Sequence, residues 1–310
     1  MSGVEIIKVK PEDDGMRLNR WFLKYYPALS LSRFQKLLRT KQIKVDNQRA
    51  EAGLKLSAGQ EIRVPPLEKE KAEPLHIGLS SKDTRFIQSL VIYKDENIIV
   101  LNKPSGLAVQ GGTNTVHHID ALLDGLLFNK TEKPKLVHRI DKDTSGILVL
   151  ARNRIWADKL TQAFREHTLQ KTYLALVAPA PKQGEGEIKA PLGKIGEKIL
   201  VTDSGKTAHS LYKTIDTVGD KFALLAVEPL TGRTHQIRVH LQYIGSPIIG
   251  DDKYFLGEKR EKYTLLTNKL HLHAYKIDLS SLYNKKLLIK APLPEYFKQD
   301  LEHIGIHFKG

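Results

Sequence analysis

Residues 138 to 146 read HRIDKDTSG and run directly into ILVLA. Five of the nine, His138, Arg139, Asp141, Lys142 and Asp143, carry titratable groups at the entrance of an apolar segment that must be buried. A carboxyl group at such a boundary loses solvent and goes neutral unless a cation stabilises its charge. Arg139, Lys142 and the two arginines of GRTHQIR, Arg233 and Arg238, are candidates for that cation. Held ionised beside arginine in a dry cleft, Asp141 can act as nucleophile or base. A structural ion pair or a helix cap is the commoner fate of such an aspartate, and from these residues alone both readings stay open. Asp143 is not favoured as an acid–base partner for Asp141.

Other chemistry-bearing residues carry weaker signals. His138 is expected to satisfy the backbone of its turn rather than to act as a base. His235 and His240 lie five apart in a predicted helix and share no face, while His271 and His273 alternate on a strand. Without carboxylate or thiolate company they point to no metal site. Tyr173, in the apolar segment TYLALV, reads as a core residue whose hydroxyl finds a carbonyl. The glycines after NKPSG form neither GxGxxG nor a Walker loop, and GxxG in PLGKIGEK reads as a flexible surface loop.

These residues need elements to hold them. Leu18, Trp21, Phe22 and Tyr25 share one face of a first helix. Ser30 or Ser32 can cap a second, with Phe34, Leu37 and Leu38 facing inward. QIKVDNQRA and EIRVPP then alternate about turn residues. Residues 67–88 carry prolines and mixed charge without sustained periodicity, and read as a linker. Beyond it, an apolar strand over Ile98 to Leu101 precedes the HRID segment. A helix follows, bearing Trp156, Leu160, Ala163, Phe164 and His167. HSLYKTIDTV, KFALLAVEPL, KLHLHAYKIDL and KKLLIKAPL read as strands, and GRTHQIRVHLQYIG as a helix ended by Gly245. Many strands with few helices predict an α+β domain with a mixed, largely antiparallel sheet, preceded by a small αβ module.

Composition narrows the classes. The chain has 310 residues, 41% of them hydrophobic, enough for a core. It has no cysteine, which excludes disulfides, thiolate zinc sites and a thiol nucleophile. No signal-peptide-like start or long apolar run is visible, so a soluble cytoplasmic protein with no membrane partner is expected. The formal charge is +14, and between Arg17 and Arg63 eleven Lys and Arg face three Asp and Glu. Such a concentrated field suits a polyanion, and nucleic acid is preferred over a merely solubilising surface.

Two resemblances sharpen this. RLNRWFLKYYPALSLSRFQKLLRTKQIKVDNQR followed by LSAGQEIRVP resembles an S4 RNA-binding domain. That implies an S4-like domain over residues 1–66, with its core at about 17–64 and Arg33, Lys36 and Arg39 directed to RNA. Residues 89–310 resemble the catalytic domain of the RluA superfamily of pseudouridine synthases, on four ordered segments. These are NKPSGLAVQGG, LVHRIDKDTSGILVLA, QKTYLALV and LTGRTHQIRVHLQYIGSPIIGDDKY; Ile140 stands where the family has Leu. The resemblance implies the pseudouridine synthase fold and isomerisation of uridine in RNA without cofactor or metal. Asp141 would be the catalytic carboxylate, Tyr173 would lie against the uracil, and Arg238 would pair with Asp141. Arg139 would fill the space left by a flipped nucleotide, and Lys103 and Arg233 would shape or charge the RNA-facing cleft. The domain order and the phrases VHLQYIGSPIIGDDKYF and IKAPLGKIGEK resemble the RluC-type branch acting on large-subunit ribosomal RNA, with the RluD type as alternative. A monomer without an obligatory protein partner is expected. A non-catalytic RNA-binding or ribosome-assembly protein is the reading from a different class.

Overall fold

The computed structural model describes residues 3–26, 29–67, 79–111, 117–255 and 265–308. The chain divides into two compact units after residue 77.

In the first unit, β1 (Glu5–Lys8) precedes helices α1 (Leu18–Tyr25) and α2 (Leu31–Arg39), then strands β2 (Lys44–Val45), β3 (Gln48–Arg49) and β4 (Glu61–Val64). The strands form an antiparallel sheet in the order β1-β4-β2-β3. Both helices form as their apolar spacing predicts, burying Leu18, Trp21, Phe22, Phe34 and Leu38 against Ile43, Ile62 and Val64. Ser30 caps α2, its Oγ accepting from Arg33 N at 3.3 Å. The β2–β3 hairpin turns on Asp46 and Asn47, both left-handed, as a tight two-residue turn requires.

The second unit opens with α3 (Ser81–Ser89), β5 (Val91–Lys94), β6 (Ile98–Lys103), α4 (Ile119–Leu122), β7 (Lys135–Leu136), β8 (Ser145–Ala151) and α5 (Arg154–Arg165). It continues with β9 (Lys171–Val177), β10 (Glu185–Lys189), β11 (Leu192–Ile195), β12 (Lys198–Val201), β13 (His209–Val218), β14 (Phe222–Pro229) and α6 (Gln236–Tyr243). β15 (Leu272–Asp278), α7 (Ser280–Tyr283), β16 (Leu288–Lys290) and α8 (Glu295–His303) complete it. Ten strands join one mixed sheet in the order β10-β13-β14-β9-β15-β8-β6-β5, with β16 beside β15 and β7 beside β8. Every pairing in it is antiparallel except β15 with β8. β8 is buried along its whole length, which is why ILVLA is apolar without alternation. On β9 the two faces separate: Leu174 and Leu176 pack with Phe297 and Leu301 of α8, while Ala175 and Val177 pack with Ile237 and Leu241 of α6.

Three expectations change. Within 67–88, residues 68–78 lie outside the described residues, but 81–89 form helix α3 rather than linker, capped where Ser80 Oγ accepts from Asp83 N at 3.0 Å. The helix escaped notice because Ile87 is its one fully buried side chain. GRTHQIR is helical only from Gln236; before it His235 adopts φ 54 and the chain turns. PLGKIGEK is no loose loop but contributes to the β11–β12 hairpin.

Candidate active site

Asp141 sits between β7 and β8 on a segment pinned from below. Lys103, at the end of β6, donates from Nζ to the carbonyls of Pro104, Leu107 and Lys142, each at 2.8 Å. Gly106 N donates to the Lys142 carbonyl at 3.0 Å, and Ser105 Oγ to that of Asp143 at 2.7 Å. The KPSG turn therefore grips the two residues that follow Asp141. This corrects the expectation for Lys103, which is fully buried and cannot face RNA. Its three donors are consumed by three carbonyls, so an ammonium is satisfied there. Burial pushes its pKa down to about 7 against the opposing charges of Asp143 and Asp141.

The opposite wall comes from the turn into α6. The buried Gln236 amide ties this turn together. Its Oε1 accepts from Thr231 Oγ1 at 2.6 Å and Arg233 N at 3.0 Å, and its Nε2 donates to the His209 carbonyl and Ser210 Oγ, both at 2.9 Å. His240 completes the network on Ser210 Oγ and the Ala190 carbonyl. Its role is structural.

One turn into this helix, the side chain of Arg238 is 3% exposed. Its Nε and Nη2 reach Asp251 at 2.7 Å each, Nη2 lies 3.5 Å from Asp252, and Nη1 stands 3.7 Å from Asp141 Oδ2. Burial works against the guanidinium charge, yet the Asp251 carboxylate more than offsets it and raises the Arg238 pKa. His235 Nε2 lies 3.9 Å from the same Asp141 oxygen, and its Nδ1 contacts Tyr254 Oη at 2.8 Å. The Tyr254 ring also lies under the Arg238 guanidinium, at 5.2 Å. Asp141 is thus half-buried, with two cation-capable groups near one oxygen and no hydrogen bond consuming it among the described residues.

These groups open on a cleft of about 480 Å³ lined by Arg139, Asp141, Phe164, Tyr173, Arg233 and Arg238, among others. Its size lies within the range of small-ligand sites, roughly 300–1,000 Å³. Tyr173, brought in by β9, has no hydrogen-bond partner for its hydroxyl among the described residues. Burial, then the Asp141 charge, pushes its phenol pKa up, so it remains protonated at neutral pH. His138 accepts from Val149 N at 2.8 Å, so it serves the backbone of β8 rather than that of its own turn, and it stacks on Phe164 at 4.0 Å; burial pushes its pKa down to about 3. Arg139 is exposed at the cleft.

Asp141, Tyr173, Arg238, Arg139 and Arg233 are thus brought to one cleft. Arg33, Lys36 and Arg39 are exposed along α2 in the first unit. Asp251, His235 and Tyr254 were missed. The only signal for Asp251 was its place in GDDKY, with nothing to link it to an arginine thirteen residues earlier. No group of side chains among the described residues could hold a metal, and none of the helices among them is long and apolar enough to cross a membrane.

A family model described as RNA pseudouridylate synthase matches residues 97–243. The ribosomal large subunit pseudouridine synthase C of Rickettsia felis is 37% identical over 295 residues, covering 91% of this chain and 94% of the relative. The protein of the same description from Escherichia coli K12 is 33% identical over 316 residues, covering 97% of each. Among solved structures, human RNA Pseudouridylate Synthase Domain Containing 4 aligns with a TM-score of 0.62 and 26% identity, over 74% of this chain and 99% of that one.

Proposed function

The chain belongs to the RNA pseudouridylate synthase family, and from that premise we propose that it acts on large-subunit ribosomal RNA with Asp141 as its catalytic carboxylate. It is an RNA pseudouridine synthase, an isomerase that converts uridine to its carbon-linked isomer. The observation carrying the residue assignment is the half-buried Asp141 carboxylate, open to the cleft, beside the Nη1 of a buried arginine and on the lining shared with Tyr173.

In this reading the target uridine leaves its stack and enters the cleft, at a cost of a few kcal/mol. Asp141 attacks the ribose carbon bearing the base, and the carbon–nitrogen bond breaks with its electron pair on uracil. The freed uracil turns against Tyr173, its C5 displaces Asp141 from the ribose carbon, the C5 proton passes to the released carboxylate and on to solvent, and N1 takes up a proton, so the product is an isomer of the substrate. Nothing is oxidised, reduced or hydrolysed, so the residues of the cleft suffice. The charged Arg238 favours the ionised carboxylate through space. Arg139, exposed beside the cleft, fills the space left by the extruded nucleotide. The first unit acts as an S4-like RNA-binding module, a reading supported by its two helices, its hairpin and the exposed Arg33, Lys36 and Arg39. The similarity to relatives described as large-subunit synthases supports the RNA class.

The test is a map of carbodiimide-dependent reverse-transcriptase stops on ribosomal RNA from wild-type and deletion cells. Large-subunit stops should vanish on deletion, return with the wild-type gene and stay absent with Asp141→Asn. Restoration by Asp141→Asn refutes the catalytic assignment. Unchanged stops in the deletion strain refute the substrate.

A further inference from the structure

We propose that Lys171 and the outer nitrogens of Arg233 form a subsite for one backbone phosphate flanking the target uridine. The inference rests on the uridine reading of the cleft and adds the group that fixes the nucleotide's register within it.

Lys171 and Tyr173 are two residues apart on β9, so they share a face and stand about 6.6 Å apart along the strand. That spacing is comparable to the span from a nucleobase to its phosphate, and both side chains line the cleft. The ammonium is partly buried, yet among the described residues it has no carboxylate partner and no hydrogen bond. Burial alone accounts for the lowering of its pKa, with no acidic group acting against it. Glu228, the acid on neighbouring β14, is engaged from the other face of β9 by Gln170 and Thr172. The Phe164 ring centroid is 6.0 Å from Nζ, at the outer limit of a useful cation–π contact. A desolvated cation with so little compensation is costly unless an anion completes it.

Arg233 supplies the second half. Its Nε donates to the Thr207 carbonyl at 3.0 Å and its amide to Gln236, which fixes the side chain's root. The remaining guanidinium nitrogens carry no bond among the described residues. The turn bearing Arg233 packs on His167: a Cβ on Gly232 would lie 3.3 Å from His167 Cε1. Lys171, His167 and Arg233 line the same cleft, and after burial the charges of both cations lower the His167 pKa. Arg165 also lines the cleft, exposed and with Nη2 4.0 Å from Glu166. Two cations on one cleft, neither paired with a carboxylate among the described residues, suit a phosphate diester, and an arginine fork matches its oxygens.

The test uses a ribosomal RNA fragment containing a uridine identified by the stop map, and two copies with a neutral methylphosphonate at the linkage on either side of it. Lys171→Met should raise KM about tenfold, the lower end for a lost charge-assisted hydrogen bond, with a smaller effect on kcat. The salt dependence of its RNA affinity should flatten by about 0.7 in log–log slope, the value for one single-strand phosphate. Lys171→Arg should keep the wild-type slope. On one of the two methylphosphonate RNAs, wild type should lose about tenfold in KM and match Lys171→Met. Equal losses by Lys171→Met on all three RNAs, or an unchanged slope, overturn the subsite. If Lys171→Met does not fold, the wild-type comparison decides alone, and no loss on either modified RNA overturns it. Failure of the wild type to convert the unmodified fragment would instead sink the uridine reading beneath it.

Discussion

Arg238 commits two nitrogens to Asp251 at 2.7 Å each and leaves only Nη1, at 3.7 Å, for Asp141. The arginine is therefore anchored by one carboxylate and acts on the other through space. Direct bidentate pairing with Asp141 would stabilise its charge more but would occupy the oxygens that the proposed attack needs. Asp251 is itself held, its Oδ1 accepting from Lys253 N at 2.9 Å and Tyr254 N at 3.1 Å.

Removing one member of that buried pair should cost about 3–5 kcal/mol, because it strands the other charge. Asp251→Ala is expected to lower the urea midpoint accordingly and to abolish pseudouridine formation. Replacing both, as Arg238→Met with Asp251→Leu, should recover much of the stability and none of the activity. Recovery of activity in the double variant would show that Arg238 has no part in the reaction.

Tyr173 lines the cleft with a hydroxyl that has no partner among the described residues, and in the proposed reaction its ring lies against the uracil. Tyr173→Phe should therefore keep RNA affinity within about threefold, since stacking survives. Tyr173→Leu should lose roughly 1–3 kcal/mol of base stacking, a five- to 150-fold drop in kcat/KM. Because burial and the Asp141 charge raise the phenol pKa above its ordinary value, no tyrosine ionisation should appear in the rate below pH 10. Single-turnover kinetics across pH checks both.

How far the sequence was legible follows from the range of the interactions. Helices α1 and α2 were visible because their periods and the Ser30 cap are local. Asp141, Tyr173 and Arg238 were visible through ordered motifs. Lys103 misled because the resemblance implied a cation for the RNA-facing cleft, while its placement depends on the Lys142 carbonyl, thirty-nine residues away. Asp251 and His235 act through contacts to Arg238 and Tyr254, and no spacing rule joins such residues in advance.

β8 meets β15 in the one parallel pairing of the large sheet, at Ser145 with His273 and Gly146 with Ala274. Gly146 has φ 104, and a Cβ there would lie 2.3 Å from the Ala274 carbonyl oxygen. Gly146→Ala should destabilise by roughly 2–4 kcal/mol, through strain and separation of the strands. As Asp141 lies five residues upstream, the activity lost should exceed the fraction unfolded, measured on the same samples by circular dichroism and product formation.

Beside that pairing, His273 is fully buried, with Nδ1 on Ser145 Oγ at 2.9 Å and Nε2 on the Ala291 carbonyl at 3.1 Å. Burial pushes its pKa down to about 4, from an ordinary 6.5, against the opposing pull of the Ala291 hydrogen bond. Between those values the unfolded chain binds a proton that the folded chain refuses, so stability rises with pH through the window and its contribution is complete above 6.5. The slope from this group approaches about 1.4 kcal/mol per pH unit. His273→Asn should flatten the dependence of the urea midpoint between pH 4 and 6.5 relative to wild type, even if it lowers stability at pH 7. Parallel curves for the two proteins would place the acid sensitivity elsewhere.

Arg33, Lys36 and Arg39 stand exposed on α2, with Phe34 and Leu38 facing the core between them. Because the apolar face holds the helix, replacing the three cations with glutamine should leave the unit folded and remove charge alone. Each lost phosphate contact should flatten the log–log salt dependence of RNA affinity by about 0.7–0.9, so the triple variant should lose about 2–3 in slope. Deleting residues 1–66 should weaken binding further while the catalytic unit, with its own core, stays folded. An unchanged slope in the triple variant, with the helix intact by circular dichroism, would mean that α2 does not meet RNA and that the basic charge of this unit serves another purpose.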